Sequence, residues 1–258
     1  MNKGVFCISI DTELMWGRKD LPNADYFVPR IKKEREIIKR LLVLFGKYQV
    51  PVTWAVVGKL REESSGREIY EMIAKEKMHE MGSHSYTHPE FTKIDRNKAE
   101  YEFKKSAGSY SFVFPRNKVK YLDLLEKNGF KDFRGADKRE WELLYPGFPP
   151  VHEPSFESNL VNIPGSMYFV SARGMKRFIP KGLRLIKTRL GITRATSEKR
   201  IFHLWFHPVD FADSTDTLFD EFESILKYAS EKRSQGILEI LTMKQVTLKW
   251  LGAKHQHL

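Results

Sequence analysis

Two groups of residues in this chain have the chemistry of a hydrolytic metal site. Asp11 and Glu13 lie two apart in Ser9-Ile10-Asp11-Thr12-Glu13. His84 and His88 lie four apart in Gly82-Ser83-His84-Ser85-Tyr86-Thr87-His88-Pro89. Imidazole and carboxylate donors suit Zn²⁺, whose catalytic sites combine three protein ligands with a water. On a strand, residues i and i+2 share a face, so both acids would leave a first strand together. Histidines at i and i+4 share a helix face or converge at a strand-to-loop turn. Each pair alone has a plainer alternative: solvated acids at a strand end, and surface or capping histidines. A third candidate closes the apolar run Ile201-Phe202-His203-Leu204-Trp205-Phe206-His207. His207 is either a general acid beside the two carboxylates or a core histidine bonded to backbone. His203, deeper on the same face, reads as structural.

These residues need a frame that brings them together. Residues 5–10 form a continuous apolar run ending in acids, as a buried parallel strand would. Periodicity and breakers predict strands at 52–57, 80–84, 111–114, around Phe133, and at 161–163, 201–206 and 238–241. They predict helices at 31–48, 67–77, 97–107, 119–127, 218–232 and 243–251. The first of these helices turns Ile37, Leu41, Leu44 and Phe45 to one side. Residues 142–160, rich in proline and aromatics, read as a long loop. Alternation of strands and helices along the chain argues for a parallel α/β architecture, with active-site residues at the C-terminal ends of the strands. No linker or repeat divides residues 1–258, so one domain is expected.

Composition narrows the class. At mean hydropathy −0.46, and with no apolar run near the roughly 20 residues of a spanning helix, an integral membrane protein is not expected. Met1-Asn2-Lys3-Gly4 leads straight into the first apolar run, without the cleavage site of a signal peptide. The one cysteine, Cys7, allows no internal disulfide, and a cytoplasmic location is expected. The net charge of +11 suggests an acidic partner: nucleic acid, an anionic membrane or a phosphorylated substrate. No recognised nucleic-acid motif is present, so nucleic acid is not expected.

Taken in order, the motifs resemble the polysaccharide deacetylase family, the NodB-homology carbohydrate esterases. Ser9-Ile10-Asp11-Thr12-Glu13 is similar to that family's first acidic motif, as an S-x-D-x-E variant. Val50-Pro51-Val52-Thr53-Trp54-Ala55-Val56-Val57-Gly58 resembles its second strand. His79-Glu80-Met81-Gly82-Ser83-His84-Ser85-Tyr86-Thr87-His88 matches its H-E-x-G-x-H-[ST]-x-x-H motif, and Leu204-Trp205-Phe206-His207 its closing histidine motif. The resemblance implies a distorted (β/α) barrel of fewer than eight strands. It implies a divalent metal, Zn²⁺ or else Co²⁺ or Ni²⁺, on Glu13, His84 and His88, with Asp11 as base and His207 as general acid. The implied activity removes an acetyl or other acyl group from an N-acylated sugar or glycan intermediate in surface-polysaccharide biosynthesis. The sugar would be lipid- or nucleotide-linked. The alternatives are a metal-independent amidohydrolase of the same fold acting on a small non-sugar amide, and an inactive glycan-binding module.

The chain departs from the family pattern in three places. Thr12 follows Asp11 where the family has a second Asp, so the acid ligand shifts to the longer Glu13. Val113 occupies the position of an arginine that holds the base. Arg116, three residues later, becomes the candidate for that role if the turn after Pro115 brings it inward. Asp137-Lys138-Arg139-Glu140-Trp141 matches the family's D-x-x-D-W motif loosely. It offers Trp141 to line the substrate groove and Glu140 to orient His207, or else exposed loop residues. Residues 173–200 hold ten Lys or Arg and one acid, Glu198. Ile179, Leu183, Ile186 and Leu190 form an apolar stripe there. The segment is either an outer barrel helix with that stripe packed on the core or a peripheral contact with the inner face of an anionic membrane.

Overall fold

The first strand, β1 (Gly4–Thr12), is buried along its whole length. Its alternate residues serve two different cores. Phe6, Ile8 and Ile10 pack outward with residues of the surrounding helices. Val5 and Cys7 instead join Ala55, Val113, Val161, Ile163 and Ile201 in a second cluster. Those residues come from strands far apart in the sheet, so the sheet must curl around them. Strand alternation thus sends every odd residue of β1, Asp11 included, into the barrel interior.

The computed structural model describes residues 1–106, 110–135 and 148–255. After β1 come α1 (Val28–Ile31), α2 (Glu34–Tyr48), β2 (Thr53–Val56), α3 (Ser64–Lys75), β3 (Glu80–Ser83), α4 (Arg96–Lys105) and β4 (Ser111–Val113). They are followed by α5 (Leu122–Lys127), β5 (Asp132–Arg134), β6 (Ser155–Glu157), β7 (Leu160–Asn162), β8 (Met167–Tyr168), α6 (Leu183–Glu198), β9 (Ile201–Phe206), α7 (Thr215–Ser234), β10 (Leu238–Leu241) and α8 (Met243–His255). The sheet order is β6-β7-β5-β4-β3-β2-β1-β9-β8, with β10 pairing the first half of β1. From β7 to β9 the strands on this path are all parallel. Among the described residues β6 and β8 end the path without pairing each other. The result is a distorted (β/α) barrel, as expected; it is incompletely closed, and its sheet holds ten strands among the described residues rather than fewer than eight.

Two helical layers cover the outer face. Ile37, Ile38, Leu41 and Phe45 of α2 pack with Phe219, Phe222 and Ile225 of α7 against the even residues of β1 and β9. Each such fully buried side chain contributes about 1.5–3 kcal/mol, so Leu41→Ala should cost about 2–5 kcal/mol. Leu44, expected on the same face, is only half-buried. On the other side, Ala99 and Phe103 of α4 and Leu124 and Leu125 of α5 cover Phe112, Phe114 and Phe133. Helix α8 reaches the inner cluster through Met243 and Val246.

The structure corrects two expectations. The described part of the supposed loop at 142–160 contains β6, which pairs antiparallel with β7. In the basic segment, α6 buries Arg184, Lys187, Thr188, Gly191, Ile192 and Ala195, while Ile186 is 55% exposed. The helix is an outer barrel helix, but rotated from the face that the apolar stripe suggested. Gly191 explains the rotation: a Cβ there would lie 2.3 Å from the Phe202 ring, so only glycine allows α6 to sit this close to β9. Among the described residues no helix is long and apolar enough to cross a membrane.

Candidate active site

Register brings the interior columns of β1 and β9 side by side. Val5 pairs with Ile201, Cys7 with His203 and Ser9 with Trp205. One step further lie Asp11 and His207, where the strands end. The columns change from apolar at the bottom to ionisable at the C-terminal rim, and a cavity of about 500 Å³ opens there. Asp11, Glu13, His84, His88 and His207 all line it.

Glu13, His84 and His88 converge as a candidate metal triad, with one donor atom from each lying within 4.8 Å of the others. Glu13 Oε2 is 2.7 Å from His88 Nε2 and 3.6 Å from His84 Nε2. All three side chains are buried. A 3-10 turn, Leu14–Gly17, directly follows Glu13. A Cβ on Gly17 would sit 2.0 Å from the Glu13 carboxyl carbon, so the missing side chain makes room for the carboxylate. The other carboxyl oxygen, Oε1, meets Arg18 Nη1 at 2.8 Å and His207 Nε2 at 3.5 Å. Burial by itself would raise the Glu13 pKa. Arg18, His207 and His88 outweigh it and hold the carboxyl well below its ordinary range.

The histidines are held from behind. His84 Nδ1–H donates to the Val113 carbonyl at 2.8 Å, which fixes the tautomer and leaves Nε2 as a donor to a metal. His88 sits on a contorted loop, with Ser85 and His88 both at positive φ. Its backbone N–H donates to Ser85 Oγ. Glu102 of α4, fully buried, accepts the backbone N–H groups of Tyr86 and Thr87 at 3.0 and 2.7 Å and the Thr87 hydroxyl at 2.6 Å. This donor set fits a divalent ion of the Zn²⁺ type.

Asp11 is held apart from that triad by Arg134. The guanidinium donates to both carboxylate oxygens, at 2.8 and 2.6 Å, and to Ser9 Oγ at 2.8 Å. Trp205 lies under the guanidinium at 4.5 Å. Burial would raise the Asp11 pKa, but Arg134 and the nearby histidines bring it below the ordinary carboxylate value. His203 accepts or donates a hydrogen bond with Ser9 Oγ at 2.9 Å and is fully buried, which pushes its pKa down to about 3. It is a structural histidine, as read from its depth.

His207 points Nε2 toward both acids, 3.5 Å from Glu13 Oε1 and 3.9 Å from Asp11 Oδ2. Its Nδ1 and backbone N–H both meet Asp210 Oδ2, at 3.1 and 2.9 Å. Burial alone would lower its pKa. Glu13 and Asp210 overcome this against Arg18, and the net shift is upward.

Of the residues singled out by sequence, Asp11, Glu13, His84, His88 and His207 meet at one place. Arg116 does not hold Asp11. Arg116 and Asn117 both take positive φ after Pro115, and the Arg116 guanidinium lies on Asp20 at 2.7 and 2.9 Å at the cavity mouth. Trp141 and Glu140 fall outside the described residues. Sequence reasoning missed Arg134, Arg18 and Asp210. Arg134 ends a predicted strand just before Gly135, and Asp210 follows His207-Pro208 at capping-box spacing. Either feature could have been found. Nothing local marked Arg18.

The family model for polysaccharide deacetylase matches residues 28–131. No curated protein matches the sequence. Among solved structures, a protein described as a polysaccharide deacetylase from Mycobacterium smegmatis superposes with a TM-score of 0.75 at 16% identity, covering 98% of this chain and 92% of that one. A second protein so described, from Pseudomonas aeruginosa PAO1, gives 0.70 at 12% identity, with 96% and 91% covered. Puue allantoinase gives 0.70 at 10% identity, also with 96% and 91% covered. Identities this low establish the fold. Family match and fold agree with the motifs: residues 28–131 resemble the polysaccharide deacetylases, and the chain shares the fold of solved proteins so described.

Proposed function

We propose that this protein is a metal-dependent deacetylase that hydrolyses the N-acyl group of a sugar or glycan intermediate in surface-polysaccharide biosynthesis. The observation that carries the reading is the division between two carboxylates. Glu13 faces His84 and His88, whereas Asp11 has an arginine of its own and stays out of the triad. A divalent ion held by Glu13, His84 and His88 would lower the pKa of a bound water toward ~7 and polarise the acyl oxygen. Zn²⁺ suits the donors best, and Co²⁺ and Ni²⁺ suit them too.

The chain's own groups supply the proton transfers. Asp11, kept ionised by Arg134, takes a proton from the attacking water. His207, oriented by Asp210, gives a proton from Nε2 to the leaving amine as the C–N bond breaks, so acetate and a free amine depart. Arg134 takes the supporting role first considered for Arg116. The free, buried Cys7 suits a reducing compartment, and we take the reaction to be cytoplasmic.

Metal-replete protein should release acetate from N-acetylated sugars. Asp11→Asn and His207→Ala should each keep the metal and lose about 10²–10⁴ of kcat. Hydrolysis of small non-sugar amides alone would favour the activity suggested by the allantoinase of the same fold. Glycan binding without turnover of any amide would make the chain a binding module.

A further inference from the structure

The cavity that holds the triad has an unbalanced charge on one wall. Its acids are matched: Asp11 by Arg134, Glu13 by Arg18, and Glu90 by Lys93. Arg116 is matched by Asp20. Lys118, Arg173 and Lys176 also line the cavity, and among the described residues none of them has an ion-pair partner; Arg173 and Lys176 come from one short segment. Arg173 lies over the Phe27 ring at 4.6 Å and Lys176 near the Tyr168 ring at 5.5 Å. Lys176 is half-buried, and its pKa is lowered by burial and then by Arg173, Arg18 and Arg184 against the pull of Asp210. A half-buried ammonium among like charges is costly unless a ligand brings the counter-charge.

We propose that Arg173 and Lys176 form an anion subsite for a phosphoryl group carried by the N-acylated sugar, so that the substrate is a phosphorylated sugar conjugate. The assignment of the sugar rests on the deacetylase reading; the assignment of the anion does not. An arginine fork and an ammonium together match the charge and donor geometry of a phosphoryl group. A carboxylate brings one negative charge to these two cations, whereas a phosphoryl group brings up to two charges and more acceptor oxygens. Both side chains come from one short segment, Arg173 at the cap of the 3-10 turn Gly174–Phe178 and Lys176 within it. The same turn exposes Met175 and Phe178 to solvent, at 87% and 71%. The phosphoryl group could therefore belong to a nucleotide or to a lipid carrier, the latter lying along these two apolar side chains.

Acetate release should be compared for one N-acetylhexosamine in three forms: a nucleoside-diphosphate conjugate, a polyprenyl-phosphate conjugate in detergent, and a neutral oligosaccharide. We expect kcat/KM for one phosphorylated form to exceed the neutral one by about tenfold or more, the scale of one charge-assisted contact. That preference should shrink toward unity in Arg173→Gln/Lys176→Gln and persist in Lys181→Gln, which lies outside the cavity. The better of the two conjugates identifies the carrier. If the double variant does not fold, competitive inhibition of the wild type by inorganic pyrophosphate carries the test, and its absence overturns the subsite. Equal kcat/KM for all three forms also overturns it and leaves the deacetylase intact. Calorimetric binding of a phosphorylated form to the wild type, with no acetate from any form, upholds the subsite and sinks the deacetylase reading.

Discussion

Arg134, at the end of β5, grips Asp11, at the end of β1, through both carboxylate oxygens, and neither side chain is more than 3% exposed. The pair is 123 residues apart in sequence. It fixes the orientation of the proposed base and keeps it ionised. Arg134→Lys keeps a positive charge but loses the two-pronged geometry. It should lower kcat by about 10²-fold or more while metal content stays at the wild-type level. Arg134→Ala leaves a buried charge unpaired and should also cost about 3–5 kcal/mol of stability, read by denaturant unfolding.

In the proposed mechanism Asp210 acts only through His207, whose Nδ1 and backbone N–H it meets. Asp210→Asn should reduce kcat by about 10-fold or more, less than His207→Ala does, with KM little changed. Because Asp210 helps to raise the His207 pKa, the alkaline limb of the pH–kcat profile, where a general acid loses its proton, should move to lower pH in the variant. An unmoved limb would assign Asp210 to capping alone.

Gly17 is a prediction from space rather than chemistry. Any side chain there would meet the Glu13 carboxylate at about 2 Å. Gly17→Ala should therefore weaken metal binding by about 10–100-fold, the range seen when support around metal ligands is lost. Metal titration followed by competition with a chelator measures it.

His203 links the interior to pH. Its folded-state pKa is about 3, against 6.5 for an ordinary histidine. Between these values the unfolded chain holds a proton that the folded protein does not. Its contribution to stability is therefore complete above about pH 6.5 and is lost as pH falls, by roughly 1.4 kcal/mol per pH unit. The slope of unfolding free energy against pH over this window should be about one proton shallower in His203→Gln. In the wild type, the His203 ring resonances should show no protonation shift down to about pH 4.

Much of this was legible in the sequence because it depends on local patterns. Two-residue alternation put Asp11 with Glu13, and His203 with His207, on interior faces, and the H-S-Y-T-H segment kept its spacing. What escaped was set by contacts between distant segments. Arg134 reaches Asp11 only because the sheet curls, and no strand pattern reports curling. Alignment on Pro115 drew attention to Arg116, but two left-handed residues redirect that side chain to Asp20. The orientation of α6 was misread because its buried face is chosen by Gly191 against Phe202 rather than by its apolar stripe.

Glu13, His84 and His88 are proposed to hold one divalent ion. The most direct measurement is metal content per chain, with acetate release measured on the same samples, for the wild type and His84→Ala. About one ion per wild-type chain is expected, with loss of both ion and turnover in a folded His84→Ala protein. A folded His84→Ala protein that retains the full complement of metal would contradict that assignment.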